Sequence, residues 1–320
     1  MTLGPDLFRA LVAEASLAPS VHNIQPTRWR LQADGHVEVL GDPERRLPVG
    51  DPEGRDVAVS PGSAVEGFVL AASLRGLAVT AGHREGSVAV LRIEAAGDRD
   101  PLADVLHLRR TYRGRFEPDR ERRGAGLRPT DDVIVIVDPD RIARLAELYD
   151  EASLRWFRNR AYRSELVSWM RLSRRHPAWS LDGLNAEAME MSAIQAAGAG
   201  FVLRPGVFET LDRVGLAGGL VAEAQVVRSA CAIALLHRPL SESPFDTGRR
   251  FHRSWLEFTR AGLSACPMAV LADDAEARAS LQREYGVADD RRLITAFRLG
   301  VAPMRILTPK PRLDVDALIV

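Results

Sequence analysis

Ala18-Pro19-Ser20-Val21-His22-Asn23-Ile24-Gln25-Pro26 is the stretch on which the reading of this chain turns. A short helical pattern (Leu7, Leu11, Val12, Ala15) leads into it, and a strand pattern, Arg28-Trp29-Arg30-Leu31, leaves it. It is therefore a turn between a helix and a strand. Pro19 and Pro26 restrict the backbone at its ends. The Ser, Asn and Gln side chains between them both donate and accept hydrogen bonds. Such a set suits the edge of a polar heterocycle. It equally suits capping of backbone groups within the turn, and taken alone the stretch favours capping.

A second stretch changes that balance. Arg109-Arg110-Thr111-Tyr112-Arg113-Gly114-Arg115-Phe116 gathers four arginines in eight positions, and the planar guanidinium is the side chain for fork-like phosphate binding. Together the two stretches resemble the nitroreductase superfamily of flavin enzymes. In that family an Arg-Arg-Ser-like segment grips the phosphate of FMN, and an Ala-Pro-Ser-x-x-Asn-x-Gln-Pro segment meets the isoalloxazine ring.

Composition is that of an ordinary globular chain, with 320 residues, 46% hydrophobic and 27% charged. A formal net charge of zero gives no electrostatic case for nucleic acid or an anionic membrane. Cys231 and Cys266 sit in apolar runs and read as buried small hydrophobes, without a disulfide framework. The N-terminus does not read as a signal peptide and the longest apolar run, around Val65 to Ala81, is broken by Glu66 and Arg75. The expectation is a cytoplasmic protein. Gly-x-Ser-x-Gly, Gly-x-x-x-x-Gly-Lys and His-Glu-x-x-His are all missing, and the histidines show no metal spacing.

Along the chain, residues 6–18 read as a helix, and 28–32 and 36–41 as strands joined by an Ala33-Asp34-Gly35 turn. Ser60-Pro61 reads as the start of a strong helix running to about Leu74. Val88 to Ile93 reads as a strand and Leu102 to His107 as a helix. Val133 to Val137 and Cys231 to Leu236 read as buried strands. Helices are expected over 140–150, 249–261 and 274–285, strands over 268–271 and 293–299, and an extended tail at 308–312. A weak repeat relates 61–77 to 251–263: each is an amphipathic helix ending in Gly-Leu that feeds a strand.

The resemblance implies more than the residues do. Typical nitroreductases are homodimers with FMN at the interface. Here the Pro-Ser turn precedes the arginine segment and neither recurs, which a fused pair of halves with one surviving FMN site explains. The chain looks like the Acg-like branch found in actinobacteria, on the further grounds of Leu47-Pro48, Asp51-Pro52-Glu53-Gly54-Arg55 and Asp182-Gly183-Leu184. The implied fold is α+β, with two pseudo-symmetric halves, 1–107 and 108–320, each an antiparallel or mixed sheet (five-stranded in type) flanked by helices. A helical insertion or lid falls at about 151–228. Arg109, Arg110, Thr111 and Arg113, with the C-terminal pair Lys310 and Arg312, are then the phosphate and ribityl contacts. Pro19, Ser20, His22, Asn23 and Gln25 are the ring-facing segment, His22 reading equally as a plain turn histidine. One departure is that Thr27 and Arg28 precede Trp29, where the family has Trp directly after Gln-Pro. The implied activity is FMN-dependent oxidoreduction of a small nitro, quinone or unsaturated molecule, with NAD(P)H as electron donor and no catalytic side chain beyond the flavin. The alternative is a non-catalytic FMN store with a lid over the ring. The chain would be a monomeric pseudo-dimer or a homodimer, without nucleic-acid, membrane or metal partners.

Overall fold

A computed structural model describes residues 3–303 and 310–320; Thr308 and Pro309 of the expected tail lie outside them. Helix α1 (Pro5–Ala15) is followed by the antiparallel hairpin β1 (Thr27–Leu31) and β2 (Val37–Gly41), closed by Gly35 at φ 85°. Then come helix α2 (Arg55–Ser73), β3 (Leu77–Gly82) and β4 (Ala89–Ala95). These four strands form one antiparallel sheet in the order β1-β2-β4-β3. The second half opens with β5 (Val133–Ile136) and continues through helices α3 (Pro139–Arg158), α4 (Arg160–Trp169), α5 (Ala193–Val202), α6 (Val207–Arg213) and α7 (Ala217–Val221). After them come β6 (Ala232–Pro239), α8 (Pro244–Arg260), β7 (Ser264–Met268), α9 (Ala275–Tyr285) and β8 (Arg291–Gly300). The second sheet is also antiparallel, in the order β5-β6-β8-β7. Both sheets thus use one connection scheme, with a long helix between the second strand and the third. Isolated parallel bridges, Trp29 to Ile319 and Thr111 to Ala265, add a fifth element to each.

The long helices α2 and α8 cross at glycine. A Cβ on Gly62 would lie 2.0 Å from the Phe245 carbonyl oxygen, and one on Gly248 would lie 2.0 Å from that of Val59. The two clashes have the same spacing along the chain, so the crossing is pseudo-two-fold. Gly76 and Gly262, both at positive φ (67° and 76°), end the two helices in that same register.

In the first sheet one face is buried. β4 alternates cleanly, with Ala89, Leu91 and Ile93 inward and Arg92 and Glu94 outward. Trp29 on β1 stacks on Phe68 of α2 at 5.3 Å. In the second sheet β6 is buried along nearly its whole length, because α8 covers one face and α3 and α9 the other.

Three local expectations change. Helix α2 starts at Arg55, not at Ser60. The Asp51 carboxylate caps it, accepting from the Arg55 and Val57 amides at 2.8 Å each, and Pro61 sits within the helix. The strand expected at 268–271 is β7, ending at Met268, with Val270–Asp273 a helical turn. β3 follows Gly76 as a strand that the residues alone do not delimit.

Candidate functional site

The turn between α1 and β1 is strained and internally braced. His22, Asn23 and Gln25 have φ of 43°, 56° and 49°, a left-handed region that costs a non-glycine residue roughly 1–2 kcal/mol. The Ser20 hydroxyl accepts from the Gln25 amide at 3.0 Å, and the Asn23 and Ile24 amides donate to the Ser20 and Val21 carbonyls at 3.0 and 2.9 Å. Behind Pro19 and Ser20, against Trp29 and Ser60, lies a cavity of about 20 Å³, room for about one water.

Both amide side chains are hydrogen-bonded to distant backbone. Asn23 Nδ2 donates to the carbonyls of Gly183 and Pro311, both at 3.2 Å. Gln25 Nε2 donates to the Leu181 carbonyl at 2.8 Å, and its Oε1 accepts from the Leu313 amide at 2.9 Å. The 181–183 loop is pinned by Asp182, which accepts from Arg171 Nη2 at 2.8 Å and Arg45 Nη1 at 3.0 Å. Asp182 and Arg171 are both buried. Gly183 is required there: its φ is 69°, and a Cβ would lie 2.3 Å from the Trp169 carbonyl oxygen.

Against the same turn the structure gathers the arginine segment and the C-terminal arm. Arg109 Nη2 donates to the Leu17 carbonyl at 2.8 Å. Arg312 donates to the carbonyls of Ser16, Leu17 and Ala18 and, at 2.9 Å, to Asn23 Oδ1. Lys310 Nζ donates to the carbonyls of Arg109 and His107. These partners are carbonyl and amide oxygens, and no carboxylate is among them. Burial, with Arg109, Arg312 and Arg110 close by, pushes Lys310 down to about 6. Burial together with Arg312 and Arg110 lowers Arg109 to about 9, and burial lowers Arg312 to about 10. Arg109 is 3% exposed, and its Nε and Nη1 have no hydrogen-bond partner among the described residues.

The arginine segment is held from β8. Arg298, buried beneath Phe116, donates to the Tyr112 and Gly114 carbonyls at 3.1 and 3.0 Å. Thr111 bridges to Ala265, and Arg113 Nη1 reaches the Ala188 carbonyl at 3.4 Å. Burial, reinforced by Arg113, lowers His22 to about 4, so it is neutral at physiological pH.

Helix α8 supplies two residues that the sequence did not single out. The Trp255 ring lies 4.6 Å from the Arg109 guanidinium, and its Nε1 has no partner among the described residues. His252 Nδ1 is 2.8 Å from the Ser63 carbonyl; a carbonyl only accepts, so Nδ1 carries the proton and Nε2 is a bare lone pair. Burial, then Arg109, lowers this histidine to about 3. Nothing in an amphipathic helix distinguishes these two from core residues before the fold is known.

The phosphate end of FMN therefore fits the residues present: a buried guanidinium whose Nε and Nη1 have no partner among the described residues, beside the Arg312 guanidinium and the Lys310 amine, whose protonation an anion would favour. The ring end is different, because Asn23 and Gln25 are engaged by 181–183 and 311–313.

No family model matches the chain. A stretch of 66 residues, 21% of the chain, is 36% identical to two Mycobacterium tuberculosis proteins, MT3217 of strain CDC 1551 and Rv3131 of strain H37Rv, each named as a provisional NAD(P)H nitroreductase. The chain is similar to nitroreductases. The match spans 19% of each relative's length. Among solved structures, the FMN- and NADPH-dependent nitroreductase NfnB of Sphigopyxis sp. strain HMH is 17% identical, covering 69% of this chain and 98% of that one at a TM-score of 0.36. The NfnB nitroreductase of Mycobacterium smegmatis, solved with NADPH, is 21% identical over 63% and 88% at 0.33. A Bacteroides fragilis nitroreductase with bound FMN is 12% identical over 66% and 94% at 0.34. The α+β fold stands on the topology described above. Among the described residues no helix is long and apolar enough to cross a membrane, and no cluster of side chains could hold a metal ion.

Proposed function

We propose that the chain binds one FMN and works as an oxidoreductase of the nitroreductase type on a small nitro, quinone or unsaturated molecule, with NAD(P)H as electron donor. The observation that carries this reading is the buried Arg109 guanidinium, without a partner at Nε and Nη1 among the described residues and beside Lys310 and Arg312. A buried, unpaired charge costs several kcal/mol, and an anion relieves that cost. When bound, FMN supplies hydride and electron transfer, and the protein orients it and sets its electrostatics. In this reading Arg109 and Lys310 hold the phosphate, with Arg110, Thr111 and Arg113 along the same segment. Arg312 fixes the turn through its carbonyls. His252, kept neutral, leaves the site's charge to the arginines and the lysine. We read the two equal sheets and the Gly62–Gly248 crossing as a fused pair of halves sharing this one site.

A second reading is a flavin store. It is favoured by the 181–183 loop, whose carbonyls take up the Asn23 and Gln25 amides. One experiment separates the two. The visible spectrum of the FMN-loaded protein is recorded before and after anaerobic NADPH. A flavin band that bleaches supports the reductase; one that stays oxidised with NADPH and NADH alike supports storage. A protein that takes up no FMN overturns both.

A further inference from the structure

Away from the site, one helix leaves a face uncovered. The stretch from Ser192 to Leu203, which contains α5, holds no charged residue. Its start is fixed by a reciprocal cap: Ser192 Oγ accepts from the Gln195 amide at 3.2 Å, and Gln195 Oε1 accepts from the Ser192 amide at 2.8 Å. Ala196 and Leu203 face inward. The opposite side is Ile194, Ala197, Gly198 and Phe201, the i, i+3, i+4, i+7 spacing of a helix stripe that normally packs against something. Ile194 is 85% exposed and Phe201 56%. A Cβ on Gly198 would meet nothing within 4 Å. Beyond the neighbouring α6, Val214 and Leu216 are also exposed, at 64% and 57%.

We propose that this face pairs with a second copy of the chain, antiparallel about a two-fold axis beside Ala197 and Gly198. The order large, small, small, large reads the same in both directions, so in an antiparallel isologous pair the small residues meet at the axis and the large ones meet on either side of it. Each Ile194 then packs beside the other copy's Phe201. The small residues at the centre let the helix axes approach to about 8 Å. The proposed contact takes Val214 and Leu216 into the same face as Ile194 and Phe201; four large side chains at roughly 100 Å² each, with the Ala and Gly surface, then approach the ~500 Å² per copy at the low end of a specific interface. The flanking charges are mixed (Glu190, Arg204), where an anionic membrane surface would need a basic set.

The test is sedimentation velocity of the full chain from about 1 to about 100 µM, a range that resolves micromolar association. The wild type dimerises with concentration. I194K and F201E each weaken the dimer at least tenfold while leaving the melting temperature at about 1 µM, where the chain is monomeric, unchanged, since both sites are exposed. Mixing the two variants restores a heterodimer, because the antiparallel arrangement sets the introduced charges against each other. G198C gives a disulfide-linked dimer on oxidation. A wild type that stays monomeric throughout overturns the proposal. So does a dimer that survives both single substitutions, or a monomer that co-sediments with phosphatidylcholine vesicles and loses that binding in F201E. Failure of the mixed variants to pair overturns the antiparallel axis.

Discussion

The two halves share a plan but not a chemistry. Their sheets have the same strand order, and their long helices cross through matching glycines. One turn beyond those glycines α2 carries Glu66, and α8 carries His252; two turns beyond stand Val69 and Trp255. Glu66 is 1% exposed and paired with Arg249 and Arg253 at 2.7 Å each. Its counterpart His252 is buried, neutral and beside Arg109, whose Nε and Nη1 have no partner among the described residues. Packing constrains the backbone of both halves alike, while a few polar substitutions leave one side sealed by ion pairs and the other with idle donors.

That comparison breaks first at the crossing. Gly62→Ala and Gly248→Ala each push a methyl into a carbonyl, and each is expected to cost more than about 3 kcal/mol in urea unfolding, at the severe end for a point substitution. If one is tolerated and the other is not, the pseudo-two-fold is wrong. The loop that seals the turn comes next. Asp182→Ala leaves Arg171 buried without its carboxylate, a loss of roughly 3–5 kcal/mol. Faster hydrogen exchange at residues 181–183 is expected with it.

The cation cluster predicts a pH effect. Lys310, at about 6 in the free protein, takes up a proton when a phosphate anion arrives, because the anion raises its pKa. Above pH 6 FMN affinity should therefore fall as pH rises, by up to about tenfold per unit. Lys310→Met should flatten that slope in calorimetric titrations at several pH values. The smallest effect expected lies where the halves face each other. Burial, then Asp56 of α2, raises Asp273 to about 8. A raised carboxyl stabilises the fold at low pH and loses that contribution as pH climbs to the folded pKa. The melting-temperature advantage of Asp273→Asn over wild type should then grow between about pH 4 and 8 and level off above.

Much of this was legible in the residues. The period-two pattern of β4, the apolar run of β6 and the Gly76 and Gly262 stops are local signals, and they placed the elements. Ser60-Pro61 looks like the start of α2, while the true cap, Asp51, reaches its helix from across a loop. The convergence of the turn, Arg109 and the C-terminal arm followed from the resemblance to a known family. No local pattern brings the C-terminal arm back to the turn near the start of the chain. The engagement of Asn23 and Gln25 by 181–183 was hidden for the same reason, since the partners are backbone carbonyls of a distant loop. His252 and Trp255 gain their meaning only from Arg109 above them.

In the proposed function, Arg109 and its neighbours take the phosphate of a flavin. Titrating the flavin-free protein with FMN and with riboflavin, by quenching of flavin fluorescence, tests it most directly, because the two ligands share a ring and differ at the phosphate. Charge-assisted contacts to a buried anion are worth about 2–5 kcal/mol when one partner is removed, so FMN should bind at least about thirtyfold more tightly, and Arg109→Ala should erase the difference. Equal affinity for the two flavins, or a preference that survives the loss of Arg109, would contradict the account.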